Sequence, residues 1–425
     1  MTVGDVTGGA LDLADLDAAA ALLAGIIQPT PLELSRTLSD SVGGPVYLKC
    51  ENLQRTGSFK IRGAYVRLAR LTATERDRGV VAASAGNHAQ GVALAARLLK
   101  THATVFMPAR AALPKIQATR AYGADVQLVG ATVDEAMVAA IAFAAASGAT
   151  FIHPFDHHDV IAGQATVGVE ISRQCPDLKT VLCPVGGGGL LAGVSIAVKR
   201  AVANATVLGV QAGGAPAVRT SLLHGRPVTV QPATLADGIA VATPGKITLP
   251  IIAAYSGGIL TVSETEIADA VVFAFQRAKL TVEPAGAVGI AAALHQPQRL
   301  RTPAVIVVSG GNIDPILMVK FLRHDLAGTH RYLSVCFDVP DQVGVLANIL
   351  SDLARLDVNV LDITQGRLDP HLPFGTTRLT LHLEARGADH VTEILGALRG
   401  AGGWEQLSDG SEGQPAEPLP LTGTR

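Results

Sequence analysis

Lys60 has the sequence surroundings expected of a reactive amine. It follows the turn residues Gly57 and Ser58 and precedes an apolar helical pattern, with Arg55 and Arg62 close by in the sequence. An amine near its ordinary pKa of about 10.4 is protonated and unreactive, so a nucleophilic lysine needs burial or neighbouring cations to lower that pKa. An isolated Ser-x-Lys triplet is more often a solvated lysine at the start of a helix. Motifs elsewhere in the chain therefore decide whether Lys60 is a nucleophile.

A run of four glycines, residues 186–189, has the composition of a phosphate-binding loop. It lies between the strand pattern Thr180–Pro184 and an apolar helical pattern, so unhindered backbone amides and a helix N-terminus can converge on a phosphate. The glycine spacing also satisfies the loose fingerprint of a dinucleotide site. Such a site needs an acid after the next strand for the ribose hydroxyl, and the chain has Gln211 there. We therefore predict that the loop binds a plain phosphate group.

Polar side chains also follow two other predicted strands. Ser84 follows the strand 80–83, and Asn87 stands just before the helical run 88–99, where its simplest role is an N-cap worth about 1 kcal/mol. Ser309 ends the strand 304–308, at the edge where α/β sheets place their ligands. An N-cap role for Asn87 would be compatible with a carboxylate ligand, because a carboxylate is favoured at a helix N-terminus.

Parallel strands must position these residues. From Leu11 to about residue 322, short β-branched runs alternate with alanine-rich helical stretches, which is typical of parallel strands joined by crossover helices. The predicted strands are 80–83, 104–107, 126–129, 180–184, 206–210 and 304–308.

Four segments in this order resemble the serine/threonine dehydratases, which are pyridoxal-phosphate enzymes of the tryptophan-synthase-β-like fold (fold type II). The segments are 51–64 with Lys60, 84–91, 186–190 and 309–312. Together they span most of the first 320 residues, which is far more specific than any one motif. The resemblance implies a catalytic α/β domain over 1–327, built of two open, parallel-rich subdomains. The smaller subdomain, about residues 53–152, is expected to be inserted in the larger one.

The resemblance also implies roles for individual residues. Lys60 would hold pyridoxal 5'-phosphate covalently and move the substrate proton, and Ser84 is the second expected catalytic residue. Asn87 would contact the phenolic oxygen of the cofactor and Ser309 its pyridine nitrogen. The cofactor-binding residues are expected to be Phe59, Lys60, Asn87, Gly186, Gly187, Gly188, Gly189, Leu190, Glu283 and Ser309. The substrate-binding residues are expected to be Ser84, Ala85, Gly86, Asn87, His88 and Phe155.

The implied reaction is deamination of L-threonine to 2-oxobutanoate and ammonia, with secondary activity on L-serine. A hydroxyl at Ser309 would leave the pyridine nitrogen near neutral, which favours loss of a β-hydroxyl over transamination. Phe155 stands where serine-racemizing relatives carry a polar residue, which favours threonine, although a methyl group discriminates by only about 1–3 kcal/mol. The alternatives are a serine or hydroxyaspartate dehydratase or racemase of the same fold, and a non-catalytic amino-acid sensor.

No metal site is predicted. The segment 153–159 contains three histidines and two aspartates, but their spacing fits no standard zinc pattern. Metal-dependent relatives supply acidic ligands where this chain has Gln211, Ala215 and Ala217, and hard divalent cations prefer carboxylates. A monovalent cation at this position is an alternative that the sequence leaves open.

Composition limits the partners. The chain has 425 residues, 48% of them hydrophobic and 16% charged, which favours a globular protein of two or three compact units. A formal net charge of -2 argues against nucleic acid as a ligand. Four cysteines without paired spacing and a start without a basic signal region favour the cytoplasm, and we see no membrane segment. We expect a small-molecule amino-acid substrate and a homo-oligomer, dimer or tetramer.

The pattern changes after Tyr332. Strand-like runs at 332–339, 358–368 and 376–384, with helical runs at 345–356 and 390–398, make up most of a βαββαβ unit. This unit resembles the ACT domains that bind amino acids in regulated enzymes. We therefore expect a ferredoxin-like ACT domain over 328–404, with Asp341, Gly344 and Leu346 contacting an amino-acid effector. The tail 405–425 is rich in glycine, proline and acidic residues and is expected to be disordered.

Overall fold

The structure, a computed structural model, describes residues 13–367, 372–399 and 404–407. The predicted disordered tail lies outside the described residues from 408 onward. The chain divides into two compact units, an N-terminal unit over 1–314 and a C-terminal unit over 315–425. This division places the helix Pro315–Gly328 in the C-terminal unit, whereas the sequence placed it in the catalytic domain.

The larger sheet of the N-terminal unit positions the glycine loop and Ser309. Its strand order is β1-β2-β10-β7-β8-β9, antiparallel only between the first two strands. The bounds are Leu32–Leu34 (β1), Val46–Lys49 (β2), Thr180–Pro184 (β7), Thr206–Ala212 (β8), Ile259–Val262 (β9) and Ala304–Val307 (β10). β7 and β10 are buried along their whole length, as expected for parallel strands covered on both faces. The adjacent carboxyl ends of β7 and β10 therefore bring the glycine loop and Ser309 to one edge.

A smaller parallel sheet in the same unit positions Ser84. Its order is β5-β4-β3-β6, with bounds Val80–Ala83 (β3), Ala103–Met107 (β4), Asp125–Leu128 (β5) and Thr150–Phe151 (β6). Every residue of β3 is buried, and the chain leaves the sheet at Ser84 to begin the next helix.

The α-helices described in the N-terminal unit cover and connect the two sheets. They are Leu13–Leu23 (α1), Arg36–Val42 (α2), Lys60–Ala69 (α3), Ala73–Asp77 (α4), Asn87–Leu98 (α5), Leu113–Ala121 (α6), Val133–Ser147 (α7), His158–Gln174 (α8), Gly189–Ala201 (α9), Ala217–His224 (α10), Thr248–Tyr255 (α11), Glu264–Phe273 (α12) and Pro284–His295 (α13).

α3, which begins at Lys60, packs directly on α8. The backbones approach so closely that a Cβ at Gly163 would lie 2.6 Å from the Cα of Gly63. Beside this crossing, the buried Arg62 forms two 2.8 Å hydrogen bonds with Glu51 and a 2.7 Å ion pair with Glu170. Lys49 pairs with the other oxygen of Glu170 at 2.5 Å. The charges of two cations and two carboxylates therefore cancel inside the core. Their ion pairs connect the start of α3 to α8.

The C-terminal unit is an α/β sandwich with an antiparallel sheet. The sheet order is β12-β13-β11-β14, with bounds Tyr332–Pro340 (β11), Asn359–Gly366 (β12), Thr376–Glu384 (β13) and Trp404–Leu407 (β14). Its helices are Pro315–Gly328 (α14), Val345–Arg355 (α15) and Ala388–Leu398 (α16). Alternate residues of β13 are buried, as expected for a sheet with one covered face. The described residues complete the predicted βαββαβ order.

Candidate active site

Lys60 is held in place by a neighbouring loop. Its ammonium donates to the carbonyl oxygen of Pro154 at 3.0 Å and lies 5.3 Å from the ring centre of Phe59. The side chain retains some accessible surface, but burial lowers its pKa to about 8, and the nearby Glu283 carboxylate opposes this change. At that pKa a large fraction of Lys60 is a neutral amine under mildly basic conditions.

The loop that holds Lys60 is itself folded by His153 and Asp156. The Nδ1 of His153 accepts from the backbone N–H groups of Phe155 and Asp156. Burial lowers the pKa of His153 to about 4, so the ring is neutral and keeps this acceptor. The Asp156 carboxylate accepts from the backbone N–H groups of Lys246, Ile247 and Thr248 at 2.9, 2.8 and 3.3 Å, at the start of α11.

Neighbouring side chains pack closely against the glycine loop. A Cβ at Gly187 would lie 2.4 Å from the ring of Phe155, and one at Gly188 would lie 2.8 Å from the hydroxyl oxygen of Thr248. Gly188 also has φ +102°, a left-handed conformation that favours glycine. The Thr248 hydroxyl donates to the carbonyl of Gly187 at 2.7 Å, which fixes the loop to α11. The sequence therefore needs glycine in this loop for space and for backbone conformation.

Asn87 links three segments. Its Nδ2 donates to the Glu283 carboxylate at 2.6 Å, and its Oδ1 accepts from Asn312 at 2.7 Å. The expected N-cap role of Asn87 is wrong, because α5 already begins at Asn87 and its N-cap, Gly86, makes no side-chain capping bond. Burial and then Asp237 raise the pKa of Glu283 to about 7, although Lys115, Asn87 and Lys60 oppose the rise.

Ser309 is buried next to the Lys60 segment. Its carbonyl accepts from the backbone N–H of Phe59 at 3.2 Å, and Ser58 bridges Gly310. A Cβ at Gly310 would collide with the Glu283 carboxylate. The segments 57–60, 283 and 309–312 thus lie against one another at one site.

The residues predicted to bind substrate differ in whether their side chains can still form a new hydrogen bond. The Ser84 hydroxyl accepts from the backbone N–H of Gly86 at 3.1 Å, which leaves its own proton free to donate. The His88 ring bonds to the carbonyl of Ile152 at 2.9 Å, and burial lowers its pKa to about 3. The ring is therefore neutral and already bonded to the backbone of Ile152. Ala85 is half-buried in the same turn.

Several contacts at this site were not predicted from the sequence. Pro154, Asp156 and Thr248 act through backbone groups or on backbone groups, so their residue types alone predict nothing. Asn312 lies in a recognised motif, but its bond to Asn87 was not predicted. The pair Lys115 and Asp237, at 2.5 Å, joins segments 122 residues apart.

Two further sets of residues discussed from the sequence are Leu190, which follows the glycine loop, and the three residues that stand where metal-dependent relatives carry acidic ligands. Leu190 is buried in the hydrophobic core at the first turn of α9. Gln211 bonds to Ala215 and Arg219, and Ala215 and Ala217 are buried. Among the described residues, no group of three His, Cys, Asp or Glu side chains could hold a metal ion. Within the same residues, no helix is long and apolar enough to span a bilayer.

In the C-terminal unit, the predicted effector residues lie around one turn. Asp341 is exposed and pairs with Arg367 at 3.2 Å, and Gly344 is the left-handed N-cap of α15 with φ +92°. Leu346 is half-buried in the first turn of the same helix. The turn thus precedes a helix N-terminus without a side-chain cap.

Comparison with known proteins agrees with this organisation. Residues 23–310 match the family described as pyridoxal-phosphate dependent enzyme, and residues 334–400 match the ACT domain. The chain is 45% identical to an L-threonine ammonia-lyase of Thermotoga maritima, over 90% of this chain and 96% of that protein. It is 41% identical to an L-threo-3-hydroxyaspartate ammonia-lyase of Pseudomonas sp, over 71% of this chain and 95% of that protein. The crystal structure of a threonine deaminase from T.th. matches with a TM-score of 0.68 and 42% identity, over 72% of this chain and 99% of that one.

Proposed function

Since this chain belongs to the pyridoxal-phosphate-dependent enzymes and carries an ACT domain, we propose that it deaminates L-threonine to 2-oxobutanoate and ammonia. One observation carries the proposal. A half-buried lysine with a lowered pKa lies beside a glycine loop and near the buried Glu283, which accepts from Asn87. The similarity to L-threonine ammonia-lyase over nearly the whole chain supports threonine as the substrate.

The cleft fits pyridoxal 5'-phosphate. Glycine lets Phe155 and Thr248 pack closely against this loop, and its backbone amides at the start of α9 are suited to a small anion such as a phosphate. Among the described residues, the buried Ser58 hydroxyl has no hydrogen-bond partner, as expected where a polar group completes the site. Phe59, Asn87, Glu283 and Ser309 would surround the ring, with Lys60 at its aldehyde carbon. When bound, the cofactor supplies an electrophilic carbon for amines and withdraws electrons from the substrate's α-carbon.

Lys60 would be both the attachment point and the base. Burial lowers its pKa to about 8, so it can release the proton of its ammonium and later accept the α-proton of the substrate. The Pro154 carbonyl orients the Nζ atom while the amine is free to donate. Ser84, which keeps a hydroxyl proton to donate, is the second proposed catalytic residue.

The substrate would be bound at both ends. Its carboxylate would lie at the start of α5, where the first backbone N–H groups have no intrahelical partner. Phe155 would form an apolar wall against the threonine methyl group. Because a methyl group discriminates by only about 1–3 kcal/mol, L-serine should react more slowly but measurably.

The C-terminal unit would bind an amino-acid effector around Asp341, Gly344 and Leu346. Backbone amides at the uncapped start of α15 are suited to a carboxylate. We further propose that the protein is a cytoplasmic homo-oligomer, dimer or tetramer. Analytical ultracentrifugation of the purified protein would test the oligomer.

The function is tested by steady-state rates on three substrates. The purified protein, loaded with pyridoxal 5'-phosphate, is given L-threonine, L-serine and L-threo-3-hydroxyaspartate in parallel, and the 2-oxo acid products are identified. We expect the highest kcat/KM with L-threonine. A higher kcat/KM with hydroxyaspartate would favour a hydroxyaspartate ammonia-lyase. No turnover of any of the three substrates would favour an amino-acid sensor.

A further inference from the structure

An ion pair joins the two subdomains of the N-terminal unit. Lys115 lies in α6, between β4 and β5 of the smaller sheet, whereas Asp237 lies in a short 3-10 helix, Asp237–Ile239, between β8 and β9 of the larger sheet. Their Nζ and Oδ2 atoms are 2.5 Å apart. The Lys115 side chain is 13% exposed and the Asp237 side chain 59% exposed, so the lysine is enclosed and the aspartate faces solvent.

Lys115 lies against the loop proposed to bind the substrate carboxylate. Its Nζ atom is 3.7 Å from the position that a Cβ on Gly86 would occupy, and its last two methylene carbons lie at 3.8 and 4.0 Å. Gly86 is the N-cap of α5 and precedes the backbone amides proposed for the carboxylate. An ammonium group at this distance adds a full positive charge to the partial charge of the helix N-terminus.

The pair also acts on the interior of the site. After burial, the charge of Asp237 is the next cause that raises the pKa of Glu283, and Lys115 opposes it. A Cβ on Gly238, next to Asp237, would lie 3.8 Å from the Glu283 carboxylate. The two charges therefore act on the buried Glu283 carboxyl and are not an isolated surface pair.

We propose that Lys115 is a substrate-binding cation that exchanges Asp237 for the carboxylate of the incoming amino acid. This inference rests on the proposed function, because it needs an amino-acid substrate at α5. Asp237 is mostly exposed and can return to water at little cost, since exposed ion pairs contribute little. Lys115 remains enclosed and exchanges one carboxylate partner for another. Asp237 then competes with the substrate.

The exchange predicts opposite effects for the two partners. Removing the charge of Lys115 should weaken substrate binding, whereas removing the charge of Asp237 should strengthen it. A bridge that only holds the subdomains together predicts the same direction for both variants, because either one breaks the same contact.

The test uses the full-length holoenzyme and four variants. Lys115→Gln and Asp237→Asn remove the charges, Lys115→Arg keeps one, and Lys199→Gln, an exposed lysine on α9, is the control. Binding of L-2-aminobutyrate, which has the amine and carboxylate but no hydroxyl to eliminate, is followed through the cofactor absorbance. The KM and kcat for L-threonine are measured alongside.

We expect Lys115→Gln to weaken L-2-aminobutyrate binding and raise KM by about tenfold, as for loss of a charge-assisted hydrogen bond, with a smaller change in kcat. Asp237→Asn should strengthen binding by about two- to threefold. Lys115→Arg should recover most of the affinity, and Lys199→Gln should behave as the wild type. Weaker binding in both charge-removing variants, or no change in either, overturns the exchange. If the wild-type protein neither binds L-2-aminobutyrate nor converts L-threonine, the proposed function fails and the exchange fails with it.

Discussion

Lys60 and Glu283 are an acid and a base whose pKa values burial moves towards each other. The pKa of Lys60 falls to about 8 and that of Glu283 rises to about 7, and each opposes the other's change through its charge. Near neutral pH both groups can therefore exchange protons with little change in free energy. This is the condition that general acid–base catalysis requires.

The raised pKa of Glu283 makes stability depend on pH. Its pKa is about 7 in the folded chain and about 4.5 as an unperturbed group, so the folded state binds the extra proton between these values. Its contribution to stability is complete below pH about 4.5 and is lost as the pH rises through about 7. We expect the free energy of unfolding of the cofactor-free wild type, relative to Glu283→Gln, to fall by about 3 kcal/mol between pH 5 and pH 8.

Urea unfolding of both proteins at several pH values measures this difference. The glutamine keeps an oxygen that can accept from Asn87, so the comparison isolates the ionisation. An unchanged difference across the range would mean that Glu283 is ionised at its ordinary pKa.

Sequence reasoning at the residue scale was most specific where backbone context accompanied the residue type. Lys60, the glycine loop and Ser309 were singled out by their neighbouring residues, and in the structure Ser309 contacts the Lys60 segment while Phe155 and Pro154 connect that segment to the glycine loop. The sequence suggested Arg55 and Arg62 as the cations near Lys60. Instead Arg55 bonds to the carbonyl of Ile26 and Arg62 is paired in the core, so burial is the main cause of the lowered pKa.

At the scale of the element, the loop after β7 depends on glycine at Gly188. Alanine there would adopt a left-handed φ, which costs roughly 1–2 kcal/mol, and would press on Thr248. We expect Gly188→Ala to weaken pyridoxal 5'-phosphate binding at least tenfold, measured by titration of the apoprotein. Gly225→Ala is the matched control, because Gly225 has φ +64° but no atom within 4 Å of its Cβ position. Equal cofactor affinity in both variants would contradict the role of the loop.

The start of α3 depends on the buried ion pairs of Arg62. Arg62→Met would remove the cation paired with both Glu51 and Glu170 and leave Lys49, which pairs with Glu170, as the remaining cation of this cluster. Breaking a buried pair costs about 3–5 kcal/mol. We expect a loss of that size in the free energy of unfolding, measured in urea. Arg355→Met is the control, since Arg355 pairs with Asp352 at an exposed position and should change stability by less than about 1 kcal/mol. A loss below that of the control would mean that α3 is held by apolar packing alone.

Strands with fully buried sequences were predicted accurately. Val80–Ala83 and Thr180–Pro184 match the structure residue for residue, because parallel strands read as continuous apolar runs. Val46–Lys49 was missed although it is mostly buried and lies between two other strands of the larger sheet. Leu32–Leu34, Thr150–Phe151 and Ile259–Val262 were also missed. They are short and partly exposed edge strands, whose patterns do not differ from loops.

At the scale of the whole molecule, catalytic and regulatory residues occupy separate units. The proposed catalytic residues lie before Asp314, and the proposed effector residues lie in the C-terminal unit. The sequence identified both units from their patterns. It placed the boundary after α14, because the pattern of a helix does not say which unit it packs with.

Removal of residues 315–425 tests this division. We expect the truncated protein to convert L-threonine but no longer to respond to isoleucine or valine, since allosteric coupling needs both sites and is typically about 1–3 kcal/mol. Rates at sub-saturating threonine, with and without each amino acid, measure the response. Gly344→Ala in the full-length chain strains the turn at φ +92° and should reduce the response without shortening the protein. A truncated protein that keeps the full response would contradict a regulatory site in the C-terminal unit.

The central claim is that Lys60 deaminates L-threonine in this cleft. The most direct test is the rate of 2-oxobutanoate formation from L-threonine by the purified wild type, Lys60→Ala and Lys279→Ala, each supplied with pyridoxal 5'-phosphate. Lys279 is an exposed lysine that bonds to the carbonyl of Gln276, so its loss controls for removal of a lysine. We predict turnover by the wild type and Lys279→Ala, and a loss of at least about a thousandfold in folded Lys60→Ala, because one residue both holds the cofactor and moves the proton. Substantial 2-oxobutanoate formation by Lys60→Ala, or none by the wild type, would contradict the account.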